Sequence, residues 1–242
     1  MIEITQSGRV CHIALNRPEK RNALNLALCT ELVAAFDAAE SDSSTGAIVL
    51  SGNGPSFCAG MDLKDSLEAD PSTLAGIHER LYSLIHRLRK PLIAAVHGAA
   101  LAGGTGLAAN AHIVIAHPDA RFGLTEVRIG LWPIMIFRAM QMAVGERRTI
   151  ELSLTGREFL APEAQAFGLV TEIAITPLKR ALELGEQIAG YSASAVSAGL
   201  DYARQIRGCD WETAGRIGTK VREGLLTSPE YRASVQAFLH KP

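Results

Sequence analysis

Apolar positions recur along this chain at two spacings. Val10–Leu15 alternates and is rich in β-formers, which predicts a strand. Ala47–Leu50, Leu92–Val96 and His112–Ala116 are short, nearly unbroken apolar runs, the pattern of strands covered on both faces. Helical spacing lies between them. From Leu24 to Glu40 the residues Leu28, Leu32, Ala35, Phe36 and Ala39 make one stripe, with Asn25 placed to cap its start. From Thr73 to Leu88 the residues Ile77, Leu81, Leu84, Ile85 and Leu88 make another. Strands alternating with helices predict crossover units and a largely parallel sheet. Beyond about residue 145 the strand pattern mostly stops, and Arg147–Leu154, Ala161–Phe167, Leu178–Tyr191, Ala195–Ile206 and Trp211–Leu226 all predict helix, punctuated by Gly156, Gly168 and Pro229.

Two apolar runs lead into turns of small residues. One is Phe57-Cys58-Ala59-Gly60-Met61-Asp62-Leu63-Lys64; the other begins at Ala94-Ala95-Val96-His97-Gly98 and ends at Leu101-Ala102-Gly103-Gly104-Thr105-Gly106. Each pattern predicts a strand, a tight turn and the start of a helix. Two such turns can aim backbone N–H groups at one point, and two unobstructed donors hold a developing oxyanion. The Gly-Gly step lets the backbone approach a ligand closely.

Composition narrows the class. The 242 residues are 48% hydrophobic and 20% charged, enough for a sizeable core, and the net charge of −1 gives no support for a nucleic-acid or anionic-membrane partner. Cys11, Cys29, Cys58 and Cys209 have neither metal-ligand nor C-x-x-C spacing and read as reduced packing residues. The N-terminus lacks signal-peptide features and no apolar run reaches the length of a membrane span, so a cytoplasmic protein is expected. Gly104 and Gly106 are not followed by the third glycine of a dinucleotide loop, and no H-E-x-x-H or G-x-S-x-G motif occurs.

The two turn segments resemble the signature blocks of the crotonase superfamily, the enoyl-CoA hydratase/isomerase family. Leu15-Asn16-Arg17-Pro18, Asn22-Ala23-Leu24, Asp119-Ala120-Arg121-Phe122-Gly123 and Pro162 through Val170 add matches in the same order, so the similarity runs from about residue 2 to the C-terminus. The resemblance implies an α/β crotonase-like fold of repeated ββα and βα units around a buried sheet, with a helical C-terminal trimerisation region. It implies a core over residues 1–190 for coenzyme A ester binding and catalysis, and a helical subdomain over 191–242 for oligomerisation, giving a homotrimer or a hexamer of paired trimers. The substrate it implies is an acyl-CoA or enoyl-CoA thioester, with no separate cofactor or metal because the thioester itself accepts the electrons.

By the same resemblance the oxyanion donors are the amides of Met61 and Gly103. The segment Ala59, Gly60, Met61, Asp62, Leu63 and Lys64, with Arg17 and Ala23 and the turn at Gly103 and Gly104, is expected to contact the coenzyme A ester. Lys64 and Arg17 fit a solvated surface charge equally well. Leu131-Trp132-Pro133-Ile134-Met135-Ile136-Phe137 replaces a glycine-rich stretch found in many hydratases; it predicts either helix core or an apolar wall of the acyl site in which Trp132 takes part. His97 and His112 are expected to be structural.

Acid–base chemistry is where the sequence departs from its family. Family hydratases use two glutamates. Glu126, in Phe122-Gly123-Leu124-Thr125-Glu126, falls on the second position, and Gly106 falls on the first. Adding water to a double bond is served well by two carboxylates sharing one water, whereas moving the bond between C3 and C2 needs one base. The expectation is therefore a single-glutamate Δ3,Δ2-enoyl-CoA isomerase. A 2-enoyl-CoA hydratase of β-oxidation type is the alternative, and a catalytically weak acyl-CoA-binding protein is an alternative of another class. Glu126 could instead be a structural glutamate paired with Arg128 or Arg121.

Overall fold

A computed structural model describes residues 1–240. The chain opens with a hairpin, in which β1 (Ile2–Ser7) pairs antiparallel with β2 (Val10–Leu15) across Gly8. The predicted alternation follows as α1 (Leu26–Ser41), β3 (Ala47–Gly52), α2 (Leu63–Glu68), α3 (Pro71–Arg87) and β4 (Leu92–Val96). Next come β5 (Ala99–Leu101), α4 (Gly103–Asn110), β6 (Ile113–Ala116), β7 (Arg121–Gly123), α5 (Ile134–Val144), α6 (Glu146–Thr155), β8 (Glu158–Leu160), α7 (Ala161–Phe167) and β9 (Glu172–Ile173). Helices α8 (Pro177–Ala189), α9 (Ala193–Gln205), α10 (Trp211–Leu226) and α11 (Pro229–Leu239) complete the described residues.

The main sheet has the order β1-β2-β3-β4-β6-β9 and is parallel from β2 onward, as the strand–helix alternation predicts. Its central strands are apolar on both faces because helices cover both. One face packs with Leu28, Leu32 and Phe36 of α1 and Leu81 and Ile85 of α3; on the other, Val10, Val49, Ile93 and Ile115 meet Ala181 of α8. A second sheet, β5-β7-β8, stands apart from the first and carries the site. Its strands have three residues each, too short for a period to show in the sequence. Strand β1 escaped the pattern for a different reason. Only Ile2 is even half-buried, so the strand exists through its ladder with β2 rather than through an apolar face.

Asn25 caps α1 as expected, its Oδ1 accepting from the Leu28 amide at 2.9 Å. Helix α4, with three glycines in eight residues, has poor intrinsic helix propensity and exists through packing. The last three helices, α9 to α11, contain no fully buried residue, and Trp211 is 95% exposed. Among the described residues no helix is long and apolar enough to cross a membrane.

The loop over residues 16–24 is joined to the loop over 53–61 by one buried side chain. Asn22 accepts from the Arg17 amide at 2.8 Å and donates to the carbonyls of Asn53 (2.9 Å) and Ser56 (2.8 Å), at a left-handed φ of +56°. Replacing it by alanine strands one amide and weakens two carbonyls in a buried place, so Asn22→Ala is expected to destabilise by about 3 kcal/mol. Denaturant unfolding checks this; a loss below about 1 kcal/mol contradicts the clamp.

Candidate active site

The two small-residue turns meet. The Cys58 amide donates to the Ala99 carbonyl at 3.0 Å and the Leu101 amide to the Cys58 carbonyl at 3.0 Å, zipping the first turn to β5. On the other side the Leu24 amide donates to Gly60 (2.7 Å) and the Asp62 amide to Leu24 (3.0 Å). This pairing engages the groups flanking Met61 and leaves the Met61 N–H outside it. Gly103 is the first residue of α4, where amides lack intrahelical acceptors and the helix end carries partial positive charge. Among the described residues neither the Met61 nor the Gly103 amide has a protein acceptor.

Glycine is what allows this approach. Gly60 sits at φ +95°, and a Cβ on it would come within 2.9 Å of both the Leu101 carbonyl and the Ala102 Cβ, and within 3.5 Å of the Gly103 nitrogen. A Cβ on Gly103 would lie 2.7 Å from the Tyr82 hydroxyl, which donates to the Gly103 carbonyl at 2.9 Å and so fixes that peptide. Between them Ala102 is held at φ +48°, ψ −119°, a strain on the order of 1–3 kcal/mol for a residue with a Cβ. Two anchors hold it there. The Ala102 amide donates to the Gly123 carbonyl at 2.8 Å, and the buried Thr105 hydroxyl donates to Ala100 (2.6 Å) while accepting from the Gly123 amide (3.1 Å). The second turn is thus bolted to β7, three residues before Glu126.

Glu126 opens a single 3-10 turn after β7, and its side chain lines a cleft of about 640 Å³ together with Met61 and Gly103. Its Oε2 is buried without a hydrogen-bond partner. Burial pushes its pKa up to about 7, against a smaller opposing effect from its own backbone amide. The alternative of an arginine pairing does not hold: Arg121 and Arg128 both pair with Glu158, at 3.0 and 3.6 Å. Gly106 lies one turn along α4 from Gly103, and the space a side chain would need is taken. A Cβ there would overlap Ile136 Cγ2, with Ile136 Cβ at 2.7 Å and Tyr82 Cε1 at 3.2 Å. Helix α5 has closed onto α4 where the first family glutamate would stand.

Of the other residues expected at the site, Ala59, Leu63 and Trp132 also line the cleft. Trp132 stacks on Phe137 with centroids 6.2 Å apart, and its neighbours from Leu131 to Ile136 form the apolar wall, so this stretch is not plain helix core. Arg17, Ala23, Gly60, Asp62, Lys64 and Gly104 lie outside the lining. Arg17 is neither solvated nor free: it donates to the Ala23 carbonyl at 2.5 Å and pairs with Asp62 at 3.1 Å, tying its loop to the first turn. Gly104 abuts the Cys58 carbonyl with no room for a Cβ, and Lys64 is exposed on the first turn of α2.

His97 and His112 have structural partners, the Gly54 carbonyl at 2.8 Å and the Leu92 amide at 2.9 Å. Sequence reasoning missed His78 and Tyr82, which also line the cleft, and read Ile136 only as one residue of the apolar stretch. The available signal was the pair His78 and Tyr82, four residues apart beside the apolar stripe of α3 and so on one helix face.

The family model for enoyl-CoA hydratase/isomerase matches residues 5–241. The 2,3-dehydroadipyl-CoA hydratase of Escherichia coli (strain K12) is 34% identical over 246 residues, covering 98% of this chain and 95% of that protein. The mitochondrial Delta(3,5)-Delta(2,4)-dienoyl-CoA isomerase of Rattus norvegicus is 34% identical over 189 residues, 71% of this chain and 58% of that one. Among solved structures, an enoyl-CoA hydratase of Mycobacterium smegmatis superposes with a TM-score of 0.92 at 31% identity, covering 98% of this chain and 95% of that one. Agreement of sequence and fold over essentially the whole chain makes this protein a crotonase-fold enzyme of the enoyl-CoA hydratase/isomerase family.

Proposed function

We propose that the protein isomerises a 3-enoyl-CoA thioester to the 2-enoyl-CoA, with Glu126 as the only base. The amides of Met61 and Gly103 receive the thioester oxygen. Glu126 removes a proton from C2; that electron pair forms C1=C2 while the carbonyl pair moves onto the oxygen, C3=C4 stays in place, and the dienolate rests on the two amides. Collapse of the oxyanion then re-forms the carbonyl, shifts the C1=C2 pair to C2=C3 and directs the C3=C4 pair to a proton at C4. Glu126 returns that proton, giving the 2-enoyl product. Each amide donor of this kind contributes on the order of 3–4 kcal/mol of transition-state stabilisation.

The observation that carries the reading is the state of Glu126: unpaired, desolvated, with a pKa of about 7, facing the cleft of the two free amides with no second carboxylate on α4. A base poised near neutral pH is efficient in both directions of proton transfer. Relatives named as hydratases favour the second reading, single-base hydration of a 2-enoyl-CoA. We also propose that Ala59, Gly60, Asp62, Leu63 and Lys64 flank the coenzyme A portion, and that the exposed faces of α9 to α11 serve assembly into trimers.

Product analysis tests the choice. With 3-enoyl-CoA the expected product is 2-enoyl-CoA; 3-hydroxyacyl-CoA formed faster from 2-enoyl-CoA overturns isomerisation in favour of hydration, and neither product overturns both. Glu126→Gln is expected to lower kcat by roughly 10²–10⁴-fold. Because Glu126 must be deprotonated to act, kcat/KM should fall with acid below a pH of about 7 and level off above it. A profile flat from pH 5 to 9 contradicts the assignment.

The raised pKa also has a stability sign. A carboxyl whose folded pKa exceeds its unfolded value stabilises the fold when protonated, and that contribution is lost as pH rises through about 7. Glu126→Gln should therefore raise thermal stability at pH 8, by at most roughly 3 kcal/mol, with the difference closing near pH 4. An equal shift at both pH values contradicts burial as the cause.

Packing makes a further prediction about Gly106. Gly106→Glu alone is expected to destabilise the fold without yielding hydratase activity, because Ile136 occupies the site. Gly106→Glu with Ile136→Ala should raise the ratio of hydration to isomerisation by about tenfold or more. Hydration by the single variant contradicts the steric account.

A further inference from the structure

Among the described residues, two buried side-chain polar atoms have no hydrogen-bond partner: Glu126 Oε2 and His78 Nε2. Both residues line the same cleft. Proton transfer explains the first and leaves the second idle. A buried donor or acceptor without a partner is costly, so such an atom in a ligand cleft points to a ligand that satisfies it.

His78 sits four residues before Tyr82 on α3, roughly 6 Å along the helix axis at 1.5 Å per residue. The Tyr82 hydroxyl is bonded to the Gly103 carbonyl, beside the place where the thioester oxygen binds in the proposed reaction. In the proposed reaction the acyl chain beyond the reacting carbons runs along the apolar lining of the cleft, which His78 shares. Leu74 and Ala75, one turn before His78 on α3, are apolar, as are Leu63 and Trp132 elsewhere in the lining apart from the indole N–H, and the Ser66 hydroxyl already donates to the Leu63 carbonyl. Burial alone holds the His78 pKa below its usual value, so the ring is neutral near pH 7 and suits an uncharged oxygen better than a carboxylate. A bare hydrocarbon at this point would exclude water and leave Nε2 unpaired.

We propose that His78 is a specificity-determining residue that selects acyl chains carrying a hydroxyl or carbonyl oxygen several carbons beyond the double bond. This rests on the enoyl-CoA reading above. On entry of such a chain the imidazole turns about its χ2 angle and presents Nε2 to the substituent.

The test walks an oxygen substituent along the chain, one carbon at a time beyond C4, and compares each enoyl-CoA with the plain chain of the same length. Wild-type kcat/KM should favour one oxygenated position by about tenfold or more. His78→Leu should collapse that ratio toward one, and His78→Gln, which keeps a hydrogen-bonding group, should retain part of it. No preference at any position in the wild type, or a ratio unchanged in His78→Leu, overturns the proposal. Equilibrium binding of the matched saturated acyl-CoA thioesters reads the same ratio without turnover. Selective binding without turnover would thus count against the enoyl-CoA reaction alone, and turnover without selectivity against His78 alone.

Discussion

Everything at this site depends on one close approach, that of the Gly60–Met61 peptide to the Ala102–Gly103 turn. No side chain can stand between them. Gly60 supplies a positive φ and an empty Cβ position, and Gly103 supplies a second beneath Tyr82. The turns are held in register by the Cys58 pairing with β5 on one side and the Leu24 pairing with Met61 on the other. What results is two amide donors whose directions are fixed by folding rather than by the ligand. Preorganised dipoles of this kind need no reorganisation as charge develops, and that makes them effective in a water-poor cleft.

The fold stores strain to maintain the arrangement. Ala102 occupies a backbone region suited to glycine; its amide donates to the Gly123 carbonyl, and the Thr105 hydroxyl bridges Ala100 and Gly123 on either side to hold it there. Those bonds also couple the Ala102–Gly103 turn to the strand that delivers Glu126, so the Gly103 amide donor and the Glu126 carboxyl belong to one rigid unit. The carboxyl is destabilised in the same spirit. Arg121 and Arg128, the arginines near it in sequence, are engaged by Glu158, and desolvation is left free to raise its pKa. A structure that paired Glu126 with Arg128 would be more stable and a poorer base.

Much of this was legible in the sequence, and the limits have physical causes. The parallel core announced itself through runs such as Ala47–Leu50 and Leu92–Val96, because strands covered on both faces must be apolar throughout. Glu126, Met61 and Gly103 were placed by resemblance, and the structure brings all three to one cleft. The short strands β5, β7 and β8 were invisible because three residues carry no period, although they position the site. Ile136 was read only as part of an apolar stretch. Its role depends on α5 packing against α4 at Gly106, a contact between residues thirty apart that no local pattern encodes. His78 was hidden for the opposite reason, since one histidine beside a clean apolar stripe reads as ordinary helix surface until the cleft beneath it is seen.

The central claim is that this cleft forms an enolate with one carboxylate and two amides, whatever the acyl chain then does. The most direct measurement is exchange of the C2 hydrogens of a saturated acyl-CoA in heavy water, followed by mass spectrometry or proton NMR. Such a thioester has no double bond to move or hydrate, so exchange reports enolate formation alone. The account predicts enzyme-dependent exchange at C2 that slows by roughly 100-fold or more in Glu126→Gln. Equal exchange by the two proteins, or none by the wild type with the thioester bound, would contradict it.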